Sequence, residues 1–445
     1  MSETAEKHTG TIVVGGGLAG LAAAAYLARG GRSVTLLERA PTLGGRAATD
    51  TPGGYALNRG AHALYTGGSA SEVLRELGVR YTSGTPRHIL ALDARGLHPF
   101  PSTPRDLLRT DLLTGSDKRE VVTTFLRLGT LRSTSLAHQS VADWIRGAAR
   151  RPRVRQLLTA IARVYVYSSA LDIVSADVFV SKLQQTISHP IHYVDGGWQT
   201  LAYGMRDVAV AAGARVLTSA GVAGVQVHDG RAHGVRLQDG SVLPADEVVL
   251  ALTPPEAEHA LGSRPGSQLQ RLVANGMPAH LPCLDLALHR LPAGAHPVVF
   301  DLEQPRFMTV QSQFARLAPD GGAVIHAFKQ PDPRGASDPY QDRAELEEFM
   351  DQLQPGWRDV VVERRFLPRM LGTGLLPLAS QGGLAGRPAH RSEEVSNVYF
   401  AGDWVGPRGY LVDASLDSAR EAARLILREH ATHASAAEVS RRRAA

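Results

Sequence analysis

Residues 11–49, TIVVGGGLAGLAAAAYLARGGRSVTLLERAPTLGGRAAT, hold two glycine clusters in one short span. The β-branched run Thr11–Val14 predicts a strand, the Ala/Leu-rich stretch Leu18–Arg29 a helix, and Ser33–Leu37 a second strand ending at Glu38. Gly15, Gly17 and Gly20 between the first two satisfy G-x-G-x-x-G. The first glycine permits the tight turn, the second lets backbone approach a pyrophosphate, and the third lets helix and strand pack closely. The unpaired N–H groups at the helix start, Leu18 and Ala19 among them, face phosphate with a partial positive charge. Glu38 stands where a carboxylate accepts both hydroxyls of an adenosine ribose and repels a 2′-phosphate, so NADP is not expected in this unit.

Composition narrows the class. The chain has 445 residues, 43% hydrophobic and 20% charged, as in a soluble globular protein of two domains. The first ten residues, MSETAEKHTG, lack an apolar core and a cleavage site, and no run approaches the ~20 apolar residues of a membrane span. A cytoplasmic, non-spanning protein is expected. Cys283 is the only cysteine, which excludes an internal disulfide and reads as a small core residue. Lysine occurs only at Lys7, Lys118, Lys182 and Lys329, so arginine carries most of the positive charge behind the net +5. The clusters Arg150, Arg151, Arg153, Arg155 and Arg441, Arg442, Arg443 lack interleaved aromatics and read as a solvated helix face and a frayed tail, not a nucleic-acid surface. No spacing of ligand residues points to a metal.

The predicted fold is α/β, a discontinuous Rossmann-type domain carrying a mixed α+β substrate domain. Residues 1–103 form the first nucleotide-binding part, 104–190 a helical insert, and 191–265 a second nucleotide-binding part with turns at Asp229-Gly230 and Asp239-Gly240. Residues 266–385 complete the substrate domain, with strands at Cys283–His289, Pro297–Asp301 and Ala323–Lys329 and a helix near Ala344–Gln354. Residues 386–445 return to the nucleotide domain through VSNVYFAGDW and a closing helix. PRDLLRTDLL, Pro104–Leu113, reads as a buried helix, with a peripheral membrane-docking face as the other reading.

The second glycine cluster decides the cofactor. A nicotinamide dinucleotide needs nothing at Leu43–Arg46, whereas a flavin dinucleotide gains a second backbone clamp on its pyrophosphate from Gly44 and Gly45 and a charged contact from Arg46. The run from Glu38 and Arg39 to Gly44, Gly45, Arg46 and Ala47 resembles the dinucleotide motif of the flavin amine oxidase and phytoene desaturase superfamily, closer to the desaturase branch. The resemblance extends to three further blocks. YALNRGAHAL, Tyr55–Leu64, is similar to the strand and turn beside the flavin ring, here with Asn58 where the family often has Asp, and implies contacts from Gly60, Ala61 and His62. GVAGV implies that Val222 packs at the adenine. VYFAGDWVGPRGYLVDASLDSA implies a ribityl contact from Asp403 after Gly402, and N–H groups near Leu411 and Val412 facing the flavin pyrimidine. Asp413-Ala414 and Ser418-Ala419 replace the family's frequent glycine-containing pairs.

The resemblance therefore implies FAD. No attachment residue stands out, so binding is expected to be non-covalent. His62 either moves a proton or orients substrate beside the ring, or it only serves a backbone carbonyl. Trp404 and Tyr410 are the expected substrate-proximal aromatics. LPCLDLALHR carries no lysine of the kind that amine oxidases place near flavin N5. The expected function is hydride removal from an apolar small molecule such as a terpenoid or polyene, with oxygen or another electron acceptor. The alternatives are a flavin amine oxidase, a redox-neutral flavin isomerase, and a non-catalytic lipid-binding protein on the same fold, like the Rab GDP-dissociation inhibitors.

Overall fold

The computed structural model describes residues 10–262, 265–292 and 296–444, with side chains to Thr432. The expectations placed on residues 1–9 and on the arginine side chains at 441–443 lie outside the described part, although the closing helix, Val412–Ala444, runs through the latter.

Five parallel strands form the central sheet, in the order Arg215–Leu217, Val34–Leu37, Thr11–Val14, Glu247–Leu250 and Val398–Phe400. They come from widely separated parts of the chain. Both faces of this sheet are covered, as a parallel sheet requires. On one face pack Leu18–Arg29, Gln199–Ala211 and the closing helix. Leu18–Arg29 is apolar nearly all round because it is buried all round, and its fully buried Ala22, Ala23, Ala24 and Ala25 admit close neighbours. The other face carries the antiparallel pair Val222–His228 and Arg231–Leu237 and the helix Pro254–Leu261.

A seven-stranded sheet makes the second half, in the order Val361–Thr373, Ala279–Leu288, Ala323–Lys329, Arg306–Val310, Val298–Asp301, Ile89–Asp93, Gly96–Pro99. The period-2 alternation of Ala279–Leu288 sorts its side chains between two cores. Leu284 and Leu286 meet the helix Pro339–Leu353. Cys283 joins Phe300, Phe307 and Phe328 against the helical insert, chiefly Pro152–Val166 and Ala176–Ser188.

Two expectations are corrected here. The hairpin Ile89–Pro99, read from sequence as nucleotide-binding, pairs through Ile89–Asp93 with Val298–Asp301 and belongs to the seven-stranded sheet. Its apolar alternation suits either sheet, and only long-range pairing chooses. Pro104–Arg109 is a helix but not a buried one: none of its residues is buried and Leu108 is 77% exposed, while Leu112 and Leu113 beyond it are buried. Among the described residues no helix is long and apolar enough to cross a membrane.

Candidate functional site

The two glycine clusters meet in space. Gly44 N–H donates to Gly16 O at 2.8 Å, and Gly17 and Gly44 form a parallel bridge. Gly15, at φ 107°, and Gly44, at φ 113°, occupy backbone conformations that side chains disfavour. A Cβ on Gly20 would lie 1.9 Å from Gly15 O, so the helix sits against the strand only with glycine there. Gly17 begins Leu18–Arg29 with no side-chain cap and no acid in the first turn, which leaves the N–H groups of Leu18 and Ala19 with the helix-start charge.

Glu38 is fixed at the tip of its strand: Gly16 N–H donates to one carboxylate oxygen at 2.6 Å and Ala40 N–H to the other at 2.7 Å. Each oxygen keeps acceptor capacity for a ribose hydroxyl. Arg39 points elsewhere, largely exposed, to an ion pair with Glu256 at 2.8 Å. Val222 packs, half-buried, in the same core as Val14 and Leu37.

Arg46 and Asp403 form a two-pronged ion pair. Nη1 and Nη2 donate to the two carboxylate oxygens, each at 2.8 Å. Asp403 is 1% exposed and also accepts from Thr373 Oγ1 and Gly374 N–H, both at 2.9 Å. Burial opposes the charge, but Arg46 and these donors overcome it and hold the carboxyl down at about 2. Sequence assigned the pair to different parts of the cofactor; the fold brings them into direct contact. Gly402 is tied to the closing helix by Ser418, whose Oγ accepts from Gly402 N–H at 2.9 Å. Leu411, at φ 56°, turns the chain into Val412, the first residue of that helix.

Asn58 is buried: its Oδ1 accepts from Thr49 Oγ1 and Trp198 N–H, and its Nδ2 donates to Gln311 Oε1. An aspartate could not make the last bond. Gly60, at φ 81°, faces Cys283 and Met370, either of which would crowd a Cβ there. Ala61 packs at the edge of the same core. His62 Nδ1 lies 3.0 Å from Gly60 O, so Nδ1 carries the proton and Nε2 the lone pair. Burial pushes its pKa down to about 4, which leaves the ring neutral near pH 7, edge-on to Trp198 at 4.8 Å.

Trp404 and Tyr410 do not form an aromatic pair. Trp404 is fully buried, donates from Nε1 to Leu252 O at 2.8 Å and packs on Phe400 inside the nucleotide-side core. It is not substrate-proximal, because the indole turns back into the core beside Phe400. Tyr410 belongs to the core shared with the helical insert and donates from its hydroxyl to Val166 O at 3.0 Å.

Three groups escaped the sequence reading. Lys182, 2% exposed, pairs with Asp413 at 2.7 Å and lies over the Tyr65 ring, while Asp413 accepts from Ala70 N–H. Arg387 is buried and donates to the carbonyls of Asp403, Arg408 and Gly409, fixing the closing loop. A polar row crosses the seven-stranded sheet: Thr309 pairs in register with His326, His326 with Asp285, and Asp285 with Arg365. His326 Nδ1 is 2.6 Å from Asp285 Oδ1, and Arg365 donates to Asp285 Oδ2 at 2.8 Å and to Asn58 O. The sequence signal was Asp285, an acid at an inward position within the apolar run 281–288. Cys283, on the same face, has its thiol pushed well up by burial, which disfavours the reactive thiolate.

The family model described as flavin containing amine oxidoreductase matches residues 18–427. The chain is 25% identical to a 4,4'-diapolycopene oxygenase of Methylomonas sp, over 89% of this chain and 94% of that protein. It is 27% identical to a neurosporene-forming phytoene desaturase of Rhodobacter capsulatus, over 56% of this chain and 53% of the relative. Among solved structures, a redesigned putrescine oxidase shares the fold at TM-score 0.72 and 17% identity, covering 95% of this chain and 99% of its own. With glycine clusters, acid and arginine set as described, the chain belongs to the flavin-containing amine oxidoreductase family, on its desaturase-like side, and is a flavin-dependent oxidoreductase.

Proposed function

We propose that the flavin is FAD, held without a covalent bond, and that the enzyme removes hydride from carbon in an apolar small molecule such as a terpenoid or polyene. These residues would hold the cofactor along its length. Val222 meets the adenine and Glu38 the ribose. The N–H groups of Leu18 and Ala19, with Gly44, Gly45 and Arg46, take the pyrophosphate. Asp403 would take the ribityl chain once the Arg46 pair that covers it opens, and the N–H groups of Leu411 and Val412 would take the pyrimidine edge, where a helix start favours negative charge. Bound there, FAD supplies a two-electron acceptor for hydride. The Cys283 thiol, kept protonated by burial, supports a non-covalent cofactor.

One observation carries the apolar reading: the sheet side chains that face Gly60 are Cys283 and Met370, within a core of Phe300, Phe307 and Phe328, and no lysine is among them. The described lysines are engaged elsewhere, Lys182 with Asp413, Lys329 with Asp342 and Glu345, and Lys118 with Leu108 O. A relative named as a diapolycopene oxygenase is consistent with a long hydrocarbon substrate. The flavin spectrum, followed under anaerobic conditions with squalene-like and carotenoid-like hydrocarbons beside benzylamine, a polyamine and an amino acid, tests the reading. Bleaching by hydrocarbons supports it, and rapid bleaching by amines alone moves the function to amine oxidation.

A further inference from the structure

On and beneath the insert helix Pro152–Val166, half-buried Arg163 and buried Gln330 carry side-chain atoms with unmet bonding capacity. Arg163 Nε and Nη1 are shielded from solvent and have no hydrogen-bond partner among the described residues. Gln330 is 1% exposed, and neither its Nε2 nor its Oε1 has a partner among the described residues. Buried polar groups are paired in the great majority of cases, and leaving one unpaired costs about 1–3 kcal/mol, more for a charge. Two such exceptions in one region call for a shared explanation.

The backbone brings them to the same junction. Just after the helix, Ser168 N–H donates to Arg163 O, and Ser169 Oγ donates to Gln330 O at 2.5 Å. Gln330 N–H donates to Pro305 O at 2.9 Å, at the turn between Asp301 and Arg306. Asp301 is the carboxylate whose charge acts on Arg163, but it has no room for it. One of its oxygens accepts from Glu303 and Gln304 N–H, and the other from Arg306 Nε and Nη2 at 3.0 and 2.8 Å. The surroundings are aromatic: Phe300 and Phe307 are 4.9 Å apart, Phe307 and Phe328 5.3 Å, and Tyr167 stands edge-on to Phe328. Gln330 follows the last residue of the strand that carries Phe328, on the same side by alternation.

We propose that Phe300, Phe307 and Phe328 line a substrate chamber of which Arg163 and Gln330 form the polar end, where they bind a carboxyl group at one end of an otherwise apolar substrate. This deepens, and rests on, the apolar-substrate reading above. A guanidinium and a primary amide together offer planar N–H donors to a carboxylate and an acceptor to its protonated form. The aromatic wall takes the hydrocarbon chain. A substrate without an oxygen end group would leave both side chains unpaired, so the site discriminates by what it would leave unsatisfied.

The test is equilibrium binding of oleate, methyl oleate and 1-octadecene to the holoenzyme, read by tryptophan fluorescence quenching, for the parent, Arg163→Met and Gln330→Leu. Oleate should bind the parent about tenfold or more tightly than octadecene, in line with a charged hydrogen bond. Methyl oleate should fall between. Arg163→Met should erase the preference for oleate, keep the octadecene affinity, and melt at the parent temperature or above, since it removes a polar group with nothing to bond. Equal binding of oleate and octadecene by the parent would overturn the subsite and leave the apolar chamber standing. A preference that survives in both variants, or a clear loss of thermal stability in Arg163→Met, would also overturn it, the latter by showing a structural partner. If none of the three compounds binds, the apolar-substrate reading fails and the subsite with it.

Discussion

Replacing Arg46 with methionine tests the joint between the second glycine cluster and the closing motif. In the parent, the Asp403 carboxyl is held at about 2 against 3.8 in an unfolded chain. That difference is worth about 2 kcal/mol of folding stability at neutral pH, fully present above about pH 4 and lost as pH falls toward 2. Removing one partner of a buried pair ordinarily costs about 3–5 kcal/mol. Arg46 is 40% exposed and Asp403 keeps Thr373 and Gly374, so about 2–3 kcal/mol is expected. Without the guanidinium, burial raises the carboxyl, which then protonates at a higher pH and relieves the strain of an unpaired charge. Urea unfolding of both proteins from pH 7 to pH 3, with saturating FAD and again as apoprotein, should therefore show a stability gap that narrows as the pH falls. A gap that stays constant over that range would refute the reasoning, because the lost interaction would then not involve the charge on Asp403.

Glu38→Ala should raise the FAD dissociation constant about tenfold or more, the loss of charged hydrogen bonds to the ribose, in titrations of the apoprotein; an unchanged constant would displace the adenosine end. His62→Ala should keep the flavin spectrum and slow flavin reduction in stopped flow, since the parent ring presents a free Nε2 lone pair; equal rates would confine His62 to supporting Gly60. Asp285→Ala should lower unfolding stability by about 3–5 kcal/mol, because Arg365 loses its buried counter-charge and His326 its hydrogen-bond partner; a change below about 1 kcal/mol in urea unfolding would contradict the row as described.

What was legible in the sequence was local. Gly15, Gly17, Gly20 and Glu38 lie within one βαβ unit, and their spacing alone determines how strand, turn and helix meet. The strand before Gly402 and the helix from Val412 were readable for the same reason. What was not legible depended on pairing across the chain. Asp285, His326, Thr309 and Arg365 become one row only through strand register. Ile89–Pro99 has the same alternation in either sheet, so sequence left it on the wrong side. Trp404 shows the limit within a motif: its position was right, but the direction of the indole is set by the space beside Phe400 and by Leu252 O. Lys182 and Asp413 gave no signal because a helical lysine is usually solvated, and only the docking of the insert against the closing helix buries this one.

The most direct test of the central claim is a single turnover of the FAD-loaded enzyme without oxygen, with the flavin spectrum followed in stopped flow and the quenched product weighed by mass spectrometry. An apolar polyene or terpenoid that bleaches the flavin and emerges lighter by two hydrogens is the predicted result. Bleaching confined to amines, with imine as product and stoichiometric peroxide on admission of air, would contradict it.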